Sequence, residues 1–67
     1  MTIKEAKTLR QREALLDKTG RRWYVNGAVK TWVRDPTRIK VPLKHGLYTY
    51  GYLTEHNVTE FTRENDR

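Results

Sequence analysis

The sequence predicts an α+β fold in one small domain: an N-terminal helix packed on a small twisted antiparallel sheet of two consecutive hairpins, with a short C-terminal helix or turn. Three observations predict it. The run IKEAKTLRQREALLDK contains neither glycine nor proline. From Arg21 onward the residues become β-branched and aromatic, with the turn dipeptides Asn26-Gly27 and His45-Gly46 between apolar runs. Near the C-terminus, TEHNVTEF has the composition of a short capped turn.

The helix is expected over residues 3 to 18. Thr2 and Glu5 have the spacing of a capping box, and only Thr8 is β-branched inside the run. Ile3, Ala6, Leu9 and Leu16 fall near one stripe with Leu15 beside it, so one side can pack on a sheet, and Gly20 is placed to end the helix. Residues 21 to 62 then form the β-rich module. Asn26-Gly27 is the strongest short hairpin signal and predicts strands over 21 to 25 and 28 to 34 paired with each other. Asp35-Pro36-Thr37 reads as the turn that ends the second strand. A further pair, RIKVPLK and LYTYGYLT, surrounds His45-Gly46, and Pro42 marks its first strand as an edge or a bulged one. Thr54 can cap a short helix through EHNVTEF with Val58 and Phe61 turned inward, and residues 63 to 67 read as a frayed tail.

Composition narrows the function. Sixty-seven residues bury a small core and leave little room for a deep catalytic cleft. Without cysteine there is no disulfide framework or thiolate metal site, and the two histidines stand apart from any carboxylate cluster, so no metal or cofactor is expected. No apolar run is long enough for a membrane span and the N-terminus has no signal-peptide stretch, which points to a soluble, cytoplasmic protein without membrane contact. The net charge is +6, and its placement is uneven: residues 18 to 44 carry eight basic groups against Asp35 alone. Such a field attracts polyanions, nucleic acid first and an acidic protein second.

Register decides what Tyr48, Tyr50 and Tyr52 face. With a two-residue loop at His45-Gly46 they join Ile39, Val41 and Leu43 in the core. With a three-residue loop, favoured by a closing glycine, they lie on the face of Lys40 and Lys44. The Asn26-Gly27 turn, for its part, places Trp23 and Trp32 on one face with Arg21 and Lys30, and Tyr24 on the other. At least one tryptophan belongs to so small a core, and Trp32 is the better candidate for an exposed ring. Catalytic constellations cannot be assembled: there is no Ser-His-Asp arrangement, phosphate loop or paired carboxylates, and His45 reads as a turn residue. Glu55, Glu60, Glu64 and Asp66 read as a solvated acidic end.

The short twisted strands, tight turns, basic aromatic face and terminal turn over residues 21 to 62 resemble small SH3-like barrels, which implies a binding module. VKTWVRDP followed by RIKVPLKHGLYTY also looks like the recognition helix and wing of phage excisionase-type winged-helix DNA-binders. That resemblance implies a helix over 27 to 34 capped by Asn26, with Lys30, Thr31 and Arg34 in a major groove and Lys44 to Tyr48 as the wing. The expectation is a non-catalytic nucleic-acid-binding protein, for DNA or RNA. Arg21, Arg22, Lys30, Arg34, Arg38, Lys40 and Lys44 would hold phosphates, and Trp32, Tyr48 and Tyr50 would offer stacking surfaces. The alternative is a small adaptor or inhibitor of phage or plasmid type that binds a host protein through its aromatic and arginine surface.

Overall fold

A computed structural model describes residues 1–64. In chain order it contains one helical turn, α1 (Ile3–Ala6), and the strands β1 (Ala14–Leu16), β2 (Arg22–Val25), β3 (Lys30–Trp32), β4 (Asp35–His45) and β5 (Thr49–Thr54). A 3₁₀ turn (Val58–Glu60) and the strand β6 (Thr62–Arg63) complete it. The chain is mostly β, a curled antiparallel sheet forming a half-barrel, and this replaces the expected α+β arrangement of a long helix packed on a sheet.

The capping box is present: Glu5 N–H donates to Thr2 Oγ1, and the Thr2 N–H donates to the Glu5 carboxylate. Yet the helix stops at Ala6 instead of reaching residue 18, because the segment after it is needed by the sheet. Arg12 adopts φ +72°, a left-handed conformation that no helical residue takes. Arg12 N–H donates to the Val25 carbonyl and Val25 N–H to the Glu13 carbonyl, so two residues oppose one, as in a β-bulge. Beyond it Leu15 is fully buried as the middle of β1, with Trp23 opposite on one side and Arg63 on the other. Residues 17–21 make a hairpin turn. Gly20, at φ +85°, donates to the Asp17 carbonyl, so it closes this hairpin and not a helix.

The Asn26-Gly27 hairpin is likewise replaced. β2 and β3 do not pair with each other; both run antiparallel along one edge of β4, Tyr24 opposite Lys44 and Lys30 opposite Lys40. They are the halves of one interrupted strand, with five steps from Val25 to Lys30 set against three from Leu43 to Lys40. The tight turn instead falls at Val33-Arg34, where Trp32 pairs with Asp35, so Asp35-Pro36-Thr37 begins β4 and does not terminate a strand. No recognition helix exists over 27 to 34, since β3 occupies its centre.

Pro42 sits in an interior strand, not at an edge, because β5 pairs along the other side of β4. The Pro42 carbonyl accepts from Asn26 N–H at 2.8 Å. Its nitrogen therefore looks toward the same side, where the neighbour changes from β2 to β3, and the missing donor falls in that gap.

The core lies on the inner face of the sheet, where Leu15, Val25, Ile39, Val41, Leu43 and Leu53 meet Ala6, Leu9, Val58 and Phe61 from the segments that close over it. Val58 and Phe61 turn inward through a 3₁₀ turn in place of the expected capped helix. The Thr54 hydroxyl accepts from His56 N–H, its carbonyl accepts from Asn57 N–H, and Asn57 provides no side-chain cap. Thr62–Arg63 then pairs with β1 and Glu64 N–H donates to the Ala14 carbonyl; of the expected tail over 63 to 67, residues 65 to 67 lie outside the described residues.

Candidate nucleic-acid interface

Period-2 geometry assigns β4 two faces. Ile39, Val41 and Leu43 are buried, whereas Arg38, Lys40, Pro42 and Lys44 point outward. β5 answers this in register. Leu53 and Gly51 lie opposite Val41 and Leu43, and Tyr52 and Tyr50 lie opposite Pro42 and Lys44. The tyrosines therefore share the lysine face. The connecting loop is three residues, 46–48, two positions later than a loop of Lys44-His45-Gly46, and this shift keeps the parity that sends the rings outward. Gly46 occupies φ +68° in that loop. Gly51, an inward position of β5, lies against Trp23, whose ring would stand 3.3 Å from any Cβ placed there.

Four rings and four cations interleave on the outer face. Tyr24, Tyr50 and Tyr52 are 44%, 62% and 54% exposed, and Lys44 lies between Tyr24 on β2 and Tyr50 on β5. The Lys44 ammonium stands 5.7 Å from the Tyr50 ring centre, that of Lys40 4.3 Å from Tyr52, and that of Lys30 5.3 Å from Trp32. The Arg38 guanidinium covers Trp32 at 4.2 Å. These are cation–π distances, and each holds a charge beside an aromatic face without neutralising it. Lys30 and Lys40 are direct cross-strand partners, a like-charge pair that disfavours the sheet by itself.

The two tryptophans part company. Trp23 turns inward, packs against the core and donates its indole N–H to Asp17 at 3.0 Å. Asp17 also accepts from the Thr19 hydroxyl and from the amides of Thr19 and Arg21. These donors, the Thr19 hydroxyl first and the Trp23 indole next, hold its carboxyl well below the usual carboxylate range. Trp32 stays half-buried on the outer face beneath Arg38.

Among the expected site residues, Lys30, Trp32, Arg38, Lys40, Lys44 and Tyr50 come together. Tyr48 lies apart at the β4–β5 tip and is 88% exposed. Arg34 occupies the β3–β4 tip at the other end of β4, and Arg21 ends the β1–β2 turn. Arg22 pairs with Glu64, whose hydrogen bond raises its pKa above the usual arginine value. Tyr24 and Tyr52 complete the face. Tyr24 was hidden by the Asn26-Gly27 hairpin expectation, although the alternation Trp23-Tyr24-Val25 already separates it from two inward residues.

The acidic end is largely engaged. Glu60 pairs with Lys18 and Glu64 with Arg22, while Glu55 accepts the Ile39 N–H at 3.0 Å; Asp66 lies outside the described residues. Among the described ion pairs, none involves Lys30, Arg38, Lys40 or Lys44. His45 ends β4, its Nδ1 2.8 Å from the Arg22 carbonyl, and His56 lies 3.1 Å from Glu55. Among the described residues no His, Asp and Glu gather to hold a metal, no cavity is found, and no helix is long and apolar enough to cross a membrane. Compared with protein-family models, curated proteins and solved structures, the chain matches none.

Proposed function

We propose that this protein is a small non-catalytic nucleic-acid-binding module that uses the outer face of β2 to β5. The observation that carries the reading is the direct opposition of Lys30 and Lys40, flanked by Arg38 and Lys44, on a face that also exposes tyrosine rings. Like charges held side by side are favourable when an anion bridges them, and a phosphate backbone offers a row of such anions. The half-barrel is compatible with a barrel-like fold. Its strands present side chains from a rigid ladder, which suits recognition without chemistry.

The test is titration of the protein with labelled single-stranded DNA, RNA and duplex DNA at about 50 and 200 mM salt. Binding that weakens steeply with salt supports the reading. Absence of binding to all three at the lower salt overturns it. A second reading, an adaptor that docks on a partner protein, is favoured by Leu47 and Tyr48, exposed together at the β4–β5 tip. It predicts a salt-insensitive interaction lost on truncating those two residues.

A further inference from the structure

We infer that the ligand of this face is a single strand, bound as successive nucleotides along β4, each with its base on a ring and its phosphate on the cation beside that ring. This rests on the nucleic-acid reading above and adds the strandedness and the layout. Three ring-and-cation couples follow one another along β4: Tyr50 with Lys44, Tyr52 with Lys40, and Trp32 with Arg38. Tyr50 and Tyr52 are two residues apart on β5, about 7 Å along the strand, so their rings stand side by side as separate platforms.

A duplex makes poor use of this surface. Its bases are stacked inside, so they offer the tyrosines no ring face, and only its phosphates can meet the lysines. The face is also three strands abreast, with β4 flanked by β5 and by β2 or β3, whereas the major groove admits a helix or a two-stranded ribbon. A single strand presents an open π-face with every nucleotide.

The cations make the exchange specific. In the free protein Lys40 rests over Tyr52 and Arg38 over Trp32, so a base that stacks there displaces the charged group from the ring. The displaced ammonium or guanidinium stays tethered beside the base, where the adjoining phosphate lies. One nucleotide thus replaces the cation–π contact with a stacked base and an ion pair. A phosphate alone would draw the cation away and leave the ring uncovered.

The test is anisotropy with a labelled oligonucleotide of about 12 nucleotides, as a single strand and as the blunt duplex of the same sequence. The single strand is expected to bind at least about 10-fold tighter, with a log–log salt slope near about −2 for three phosphate contacts. Tyr50→Ala with Tyr52→Ala should lose about 30-fold for the single strand and leave duplex binding unchanged, while Tyr50→Phe with Tyr52→Phe keeps the wild-type affinity. Both rings are exposed, and a far-UV spectrum unchanged from wild type shows that each variant is folded. Equal affinity for both forms, or an alanine pair without effect while Lys40→Glu with Lys44→Glu abolishes binding, would overturn the single-strand inference and leave the nucleic-acid reading standing. No binding by either form would remove both.

Discussion

Gly27 and Pro42 are in close contact across the break between β2 and β3: a Cβ on Gly27 would come within 2.8 Å of Pro42 Cγ. Gly27 also holds φ +155°, which side-chain-bearing residues rarely adopt. The proline that cannot donate and the glycine that has no side chain therefore occupy one irregularity, and each makes the other possible. Gly27→Ala is expected to cost about 1–3 kcal/mol of stability, the usual range for overpacking, with an unchanged denaturant slope. Adding Pro42→Ala removes the atom that Cβ would strike, so the double variant should lose less than the sum of the two single ones. Urea unfolding of the four proteins measures this, and strict additivity would show that the two residues are not coupled.

Asp17 gives the β1–β2 turn a pH dependence. Its folded pKa lies below the 3.8 of the free side chain, because the ionised form collects the Thr19, Trp23 and Arg21 donors. Between those two values the unfolded chain binds more protons, so the stabilisation is complete above the unfolded value and is lost as pH falls below it toward the folded one. Asp35, Glu5 and Glu55 are also lowered, by Thr37, Thr2 and the Ile39 amide respectively, and add to the same acid limb. Asp17→Asn should therefore reduce the fall in stability between about pH 5 and pH 2 without removing it. Tryptophan emission is the direct probe, since Trp23 loses its carboxylate acceptor in this variant.

Lys40 and Arg22 separate charge that is available from charge that is engaged. Lys40→Glu places a carboxylate opposite Lys30, which replaces a like-charge cross-strand pair by an opposite one, so the fold should be unharmed or slightly stabilised. With Lys44→Glu it should nevertheless lower nucleic-acid affinity about 30-fold or more and flatten the salt dependence. Arg22→Ala should change affinity by less than about 3-fold, because its guanidinium is already paired with Glu64. Equal losses from the two substitutions would mean that the bound surface extends along β2 to Arg22.

Strand alternation was legible, and pairing partners were not. Ile39, Val41 and Leu43 against Lys40 and Lys44 gives the two faces of β4 directly, and Val58 and Phe61 read correctly as inward. Asn26-Gly27 misled because its hairpin preference is local, whereas the 11-residue β4 can pair with both β2 and β3 once Pro42 and Gly27 meet. The helix expectation failed for a related reason. ALLD suits helix or strand, and only tertiary burial of Leu15 between Trp23 and Arg63 decides between them. The signal available was Asp17-Lys18-Thr19-Gly20, a turn composition in which Gly20 serves a hairpin as readily as a helix end. Tyr24 escapes the sequence reading because its membership of the site follows from β2 pairing with β4, a relation between residues 18 and 20 positions apart.

Arg12 reports the bulge before β1 through the sign of one substitution. It holds φ +72° in the bulge position where glycine is the ordinary occupant, and its side chain is exposed. A left-handed conformation costs a side-chain-bearing residue about 1–2 kcal/mol. Glycine relieves that strain but gains entropy in the unfolded chain, so Arg12→Gly should be neutral or stabilising by up to about 1 kcal/mol. In a helix over residues 3 to 18 the same change would fall in the interior and destabilise by about 1 kcal/mol. Thermal and urea unfolding of the single variant measures that sign. A clear loss of stability would mean that contacts of the Arg12 side chain outweigh its left-handed strain, and no loss is the outcome expected of the bulge that leads into β1 and buried Leu15.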